Sequence, residues 1–120
     1  MAEEPKYNIL YVDDEKHNLS TFKVAFRRSY NIFTAINAFE GLDVLKEQDI
    51  HIIISDQRMD GMSGVEFFKR VKVSHPDCIR IILTGYSDMN IIVRAINECG
   101  IFRFMMKPVS YTHLTLPTKA

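Results

Sequence analysis

Residues 52–61 of the chain read IIISDQRMDG, an apolar run that ends in an acid and then a loop containing glycine. Ile52, Ile53 and Ile54 can pack on both faces of a sheet, which is typical of a buried strand. Asp56 follows this run, so we expect its carboxylate at the carboxyl edge of the sheet. Ligands bind at that edge in open α/β sheets because several loops converge there. A lone aspartate at a strand end more often caps a turn, so Asp56 needs partners before it indicates a function.

Outside this stretch the chain alternates between strand and helix patterns. Strands are predicted at residues 7–12, 31–35, 50–55, 78–83 and 101–106, and helices at residues 16–28, 38–48, 64–74 and 89–99. This alternation predicts an α/β protein with a parallel sheet covered by helices on both faces. In the second helix, we expect Phe39, Leu42 and Leu45 to form the buried face.

Composition limits the classes of function. The chain has 120 residues, 47% of them hydrophobic and 25% charged, which suits one globular domain. Its 15 basic and 15 acidic side chains balance, so we expect no direct binding to nucleic acid or to a membrane. The apolar runs are too short to cross a bilayer. Cys78 and Cys99 lack disulfide or metal-type spacing, and with no signal peptide a cytoplasmic location is expected.

Polar side chains follow four of the five predicted strands. Asp13 and Asp14 follow the first, Asp56 the third, Thr84 the fourth and Lys107 the fifth. Parallel strands end at one edge of the sheet, so three carboxylates, a hydroxyl and an ammonium are expected to gather there. Close carboxylates repel by roughly 4 kcal/mol per pair at an effective dielectric of about 20, which favours a bound cation or a salt-bridging lysine. Mg²⁺ fits best because it prefers hard oxygen ligands and commonly uses one or two carboxylates with phosphate oxygens.

In this combination, the chain resembles the receiver domain of two-component response regulators. The resemblance covers roughly residues 7–109 and rests on four segments: Asp13-Asp14, residues 55–64 (SDQRMDGMSG), residues 83–85 (LTG) and residues 107–108 (KP). It implies a flavodoxin-like, doubly wound five-stranded parallel sheet of order 2-1-3-4-5. It also implies a partner, a sensor histidine kinase or a phosphotransfer protein, that donates a phosphoryl group. Such a domain catalyses only its own phosphorylation and dephosphorylation and is not otherwise an enzyme.

The resemblance assigns a role to each residue at the strand ends. Asp56 would be the phosphoryl acceptor and would contribute to the metal site. Asp14 would bind Mg²⁺ directly, Asp13 directly or through water, and the backbone carbonyl of Arg58 would be a further ligand. Lys107 would pair with Asp56 and later with a phosphoryl oxygen. These roles correspond to the positional and electrostatic catalysis that phosphoryl transfer requires.

The resemblance also implies a switch. Thr84 would donate its hydroxyl to the arriving phosphoryl group and draw the loop after the fourth strand inward, and Phe104 would be the aromatic residue that then packs inward. The face formed by the fourth helix and fifth strand would control an output module that is missing from the chain. Arg58 and Tyr86 would flank the phosphoryl group and restrict attacking water.

The end of the chain departs from the family pattern. Residues 111–120 (YTHLTLPTKA) are rich in threonine, contain a proline and have no helical apolar stripe. We therefore predict a receiver domain over residues 1–110 and an irregular or non-native tail over residues 111–120, with the fifth helix missing or replaced. Loss of that helix would expose apolar surface and favour self-association.

Two other functions would also use an aspartate or a fold of this kind. A phosphatase of the haloacid dehalogenase type would use Asp56 as its nucleophile, but that family has a second acid two residues later, where this chain has Arg58. A phosphorylation-independent interaction module would retain only the receiver fold. The complete set of strand-end residues argues against this second alternative: Asp13, Asp14, Asp56, Thr84 and Lys107.

Overall fold

The computed structural model of the protein describes residues 6–99 and 103–106. The strands are β1 (Asn8–Val12), β2 (Asn31–Ala35), β3 (Ile52–Asp56), β4 (Ile79–Thr84) and β5 (Arg103–Met106). The helices are α1 (Lys16–Phe26), α2 (Ala38–Glu47), α3 (Gly64–Ser74) and α4 (Met89–Cys99), and a 3₁₀ turn, Tyr86–Asp88, precedes α4. In this part of the chain, no helix has the length and apolar character needed to cross a membrane.

The strands form a parallel sheet in the order β2-β1-β3-β4-β5. The prediction of an α/β fold with a parallel sheet is therefore confirmed. β3 lies between β1 and β4, and all five of its residues are buried. The register pairs Val12 with Ser55 and Asp56 with Leu83, so β1, β3 and β4 end almost level with one another.

The isoleucines of β3 contribute to both faces of the sheet, as their sequence predicts. Ile53 belongs to a core cluster that includes residues of α2, α3 and α4. Ile52 and Ile54 belong to a second cluster, on the face that packs against Phe22 of α1. Each of the three is at most 2% exposed, because β3 is covered by helices on both sides.

The buried face of α2 differs from the prediction at one position. Phe39 is 53% exposed, whereas Leu45 is buried and Leu42 is partly buried. The reason is Gly41, since a Cβ atom there would lie 3.1 Å from Phe67 Cζ and 3.2 Å from a methyl of Val12. Because Gly41 has no Cβ atom, α2 approaches the core at this residue. Phe39, two residues earlier, then lies on the outward side of the helix.

Two strands extend one residue further than predicted. β3 includes Asp56 because this residue pairs with Leu83 in the parallel ladder, and the backbone N–H of Gln57 donates to the Leu83 carbonyl over 3.0 Å. β4 includes Thr84 because this residue pairs with Met106 of β5. Both side chains are consequently carried on regular strand ends. The predictions for residues 107–120, which include the tail and the missing fifth helix, lie outside the described residues.

Candidate functional site

Three carboxylates meet at the carboxyl edge of the sheet. Asp13 and Asp14 follow β1 and Asp56 ends β3, and one carboxylate oxygen from each lies within 4.8 Å of the others. Asp13 and Asp56 are buried, whereas Asp14 is exposed. Negative charges at this separation repel one another, so the arrangement suits a hard divalent cation that reaches the buried oxygens from the side of Asp14.

Asp13 is oriented by three donors. The Tyr11 hydroxyl donates to its Oδ2 over 2.8 Å, and the Asn18 side-chain amide donates to the same oxygen over 3.1 Å. The backbone N–H of Glu15 donates to Oδ1 over 3.0 Å. Sequence reasoning missed Tyr11 and Asn18. The signal for Tyr11 was its spacing of two residues from Asp13, which places the two side chains on the same side of the strand.

We predict that Tyr11→Phe lowers the free energy of unfolding by about 1.5–3 kcal/mol, the usual contribution of a hydrogen bond to a charged group. The ring is 2% exposed, so its packing is retained while Asp13 loses its shortest hydrogen bond. Urea denaturation at neutral pH measures the effect. Tyr30→Phe is the matched control, because Tyr30 packs against the same hydrophobic cluster that contains Tyr11. An equal loss of stability in Tyr30→Phe would show that the hydrogen bond to Asp13 is not the cause.

Gln57 joins the acceptor strand to α3 and was also missed by sequence reasoning. Its side-chain oxygen accepts a hydrogen bond from the backbone N–H of Val65 over 2.9 Å. Its carbonyl accepts from the N–H of Gly64 over 3.0 Å. The residue is only 6% exposed. Its two hydrogen bonds tie the backbone next to Asp56 to the start of α3. This bonding limits how far the Asp56 carboxylate can move.

Thr84 is buried at the end of β4, and its hydroxyl donates to the backbone carbonyl of Gly85 over 3.2 Å. Lys107 lies outside the described residues. Phe104 lies in β5, where only the backbone is described, and the side chain of Tyr86 is likewise outside the description. The roles assigned to these four residues stay predictions.

Arg58 links the loop after β3 to the turn before α4. Its Nε donates to Asp88 Oδ2 over 2.9 Å and its Nη2 to Oδ1 over 3.1 Å, which is a bidentate ion pair. Nη2 also donates to Ser87 Oγ over 3.1 Å. The hydrogen bond and the negative charge of Asp88 raise the pKa of Arg58 above its usual value. These contacts hold the guanidinium on this turn.

An open cleft lies beside Asp14, the exposed member of the carboxylate cluster. Its volume is about 490 Å³, and its lining consists of Asp14, Gln57, Arg58, Met59, Asp60 and Ser63. A second cavity of about 470 Å³ lies at the opposite edge of the sheet, beside Tyr7, His51 and Cys78. That cavity has none of the clustered carboxylates in its lining, so the first cleft is the one that adjoins them.

The fold and this acidic strand-end site are those of a receiver domain. The response regulator receiver domain family matches residues 9–117, so the chain belongs to that family, as the sequence predicted. The chain is 35% identical over 106 residues to the hydrogenase transcriptional regulatory protein HoxA of Cupriavidus necator, a match that covers 88% of this chain and 22% of HoxA. It is 30% identical over 101 residues to sporulation initiation phosphotransferase F of Bacillus subtilis, covering 83% of this chain and 81% of that protein.

A solved structure has the same fold. The chain superimposes on a response regulator receiver domain protein from Clostridium thermocellum with a TM-score of 0.82 and 30% identity, covering 88% of this chain and 86% of that one. The chain spans less than a quarter of the length of HoxA, so what HoxA does as a whole protein does not transfer to it directly.

Proposed function

We propose that the protein accepts a phosphoryl group on Asp56 from the phosphohistidine of a sensor kinase or a phosphotransfer protein, in a reaction that requires Mg²⁺. The observation that carries this proposal is the position of Asp56, at the end of the central strand with a carboxylate oxygen within 4.8 Å of Asp13 and Asp14. The similarity to a protein named as a phosphotransferase supports it.

In the proposed reaction, an oxygen of Asp56 attacks the phosphorus atom. A P–O bond forms, the P–N bond of the phosphohistidine breaks, and the imidazole leaves. Asp13, Asp14, Asp56 and the backbone carbonyl of Arg58 would hold Mg²⁺, which when bound neutralises charge on the transferring group. The three hydrogen bonds to Asp13 keep its carboxylate in place, and the hydrogen bonds of Gln57 do the same for the backbone of Asp56.

Thr84 and Lys107 would recognise the phosphoryl group once it has been transferred. Thr84 would exchange its hydrogen bond to the Gly85 carbonyl for one to a phosphoryl oxygen, and Lys107, directly after β5, would pair with another. Inward packing of Phe104 would follow. A full reversal of two populations needs about 5.5 kcal/mol of differential interaction, which a few charge-assisted hydrogen bonds supply.

The face formed by α4 and β5 would transmit this switch to an output module. The matched region is only 22% of HoxA, whose name describes a transcriptional regulator, which is consistent with a receiver that controls further domains. We further propose that the five strands belong to one receiver unit that ends near residue 110, with residues 111–120 outside it. The phosphoryl donor and the output module are then its partners, and it has no direct contact with nucleic acid.

The proposed function is tested by intact mass after incubation with acetyl phosphate. We expect the protein to gain one phosphoryl group when Mg²⁺ is present and none when Mg²⁺ is removed by a chelator, because the clustered carboxylates need a cation before a phosphoryl group can approach. A folded protein that gains no mass under either condition would instead support the phosphorylation-independent interaction module.

The metal ligands are tested with Asp14→Asn, since Asp14 is the exposed member of the cluster and its replacement leaves the core intact. We expect the Mg²⁺ concentration for half-maximal phosphorylation to rise about tenfold or more, because even outer-shell partners of a metal contribute at least that much to affinity. Asp43→Asn is the matched control, being an exposed aspartate on α2. An unchanged Mg²⁺ requirement in Asp14→Asn would remove Asp14 from the metal site.

A further inference from the structure

A continuous chain of contacts connects Thr84 to the loop that carries the phosphoryl acceptor. The Gly85 carbonyl accepts two hydrogen bonds, one from the Thr84 hydroxyl and one from the backbone N–H of Asp88, each over 3.2 Å. The Asp88 carboxylate in turn is bound by Arg58, two residues after Asp56. The conformation of the turn in which the Thr84 hydroxyl bonds to Gly85 is thus linked to Arg58 through Asp88.

Gly85 itself adds no side-chain contact to this turn. A Cβ atom built on Gly85 would have no heavy atom within 4 Å apart from its chain neighbours, so the backbone there lies beside open space. The Asp88 side chain, by contrast, is only 9% exposed and is bound by both Nε and Nη2 of Arg58. Two charge-assisted hydrogen bonds hold this buried carboxylate in place within the turn.

We propose that Asp88 is a positioning residue: its ion pair with Arg58 holds the turn after β4 in the conformation that keeps the Thr84 hydroxyl on the Gly85 carbonyl. This inference rests on the proposed function. To bind a phosphoryl group on Asp56, the Thr84 hydroxyl has to leave the Gly85 carbonyl, and in the proposal the ion pair resists the movement of the turn that accompanies this step. The pair therefore lowers the population of the conformation that is competent for phosphorylation, and it lowers the rate in proportion.

The test uses Asp88→Asn and Arg58→Gln in the full chain. We expect either variant to accelerate phosphorylation by acetyl phosphate two- to fivefold, a modest factor because the Arg58 side chain is 69% exposed and solvent screens the pair. The double variant should be no faster than the single variants, since both remove the same interaction. Asn is as good an N-cap residue as Asp, so a role of Asp88 in starting α4 would not produce this change.

Thr84 provides the discriminating control. In a Thr84→Ala background, Asp88→Asn should no longer accelerate phosphorylation, because there is no hydroxyl left to release. Asp43→Asn removes another ion pair, the exposed one with Lys46, and should leave the rate unchanged. If the wild type is phosphorylated and Asp88→Asn is phosphorylated at the same rate or more slowly, the positioning role is overturned.

Hydrogen exchange separates this inference from the proposed function. In the unphosphorylated protein, Arg58→Gln should increase the exchange rate of the Asp88 amide two- to fivefold, because that amide bonds to Gly85 within the released turn. This readout does not require phosphorylation. If the wild type gains no phosphoryl group, the proposed function fails, while faster exchange would still support the hold on the turn and unchanged exchange would overturn it.

Discussion

Replacement of Asp56 by asparagine is expected to abolish the mass gain from acetyl phosphate at every Mg²⁺ concentration. The amide of asparagine has almost the shape of the carboxylate but is not a nucleophile, so no P–O bond forms. Asp56 is 5% exposed on the central strand, and an isosteric change there preserves the packing. Intact mass spectrometry of the variant beside the wild type measures the result, with a loss of signal to background as the expected outcome.

Two controls make this experiment specific. Asp43→Asn, at an exposed position on α2, should gain the same mass as the wild type. Far-ultraviolet circular dichroism and the thermal midpoint should show that Asp56→Asn is folded. A mass gain of unchanged size in Asp56→Asn would place the acceptor at another residue and would remove the basis of the proposed reaction.

Replacement of Gly64 by alanine is expected to damage both stability and phosphorylation. A Cβ atom at Gly64 would lie 2.6 Å from the backbone oxygen of Asp56 and 2.9 Å from Ile82 Cδ1, so the backbone at the acceptor must shift. Overpacking of this kind costs about 1–3 kcal/mol. Because misplacing a reacting group by about 1 Å can reduce a rate about 100-fold, we expect the phosphorylation rate to fall at least tenfold. Urea denaturation and phosphorylation kinetics measure the two effects.

Gly85→Ala is the matched control for this prediction. The same added methyl group meets no heavy atom within 4 Å at Gly85, so its effect on the free energy of unfolding should stay within about 0.5 kcal/mol. If Gly64→Ala were as stable as Gly85→Ala, the close approach of α3 to the Asp56 backbone would not be a constraint on the fold.

The elements of the fold were predictable because their signals are local. The apolar run that includes Ile52, Ile53 and Ile54 predicts a buried strand whatever surrounds it. The observed starts of α2, α3 and α4 agree with the predicted ones. Errors arose where packing decided the result: Phe39 is exposed because Gly41 lets α2 approach Phe67. That Gly41 faces large side chains such as Phe67 cannot be read from the periodicity of α2 alone.

The meeting of the three carboxylates was predictable for a related reason. Parallel strands must end at one edge of their sheet, so acids that follow the strands, such as Asp13 and Asp56, converge without any knowledge of distances. The sequence by itself therefore determined the type of fold and the members of the acidic cluster.

Only the tertiary structure decided how these groups are held. The backbone N–H of Val65, at the start of α3, donates to the side chain of Gln57, and Arg58 meets Asp88 from a position 30 residues earlier in the chain. Such contacts depend on the paths of separate loops, which no local pattern encodes. The sequence placed the reactive groups at one edge of the sheet, and contacts between separate elements determined how the loop after Asp56 is held.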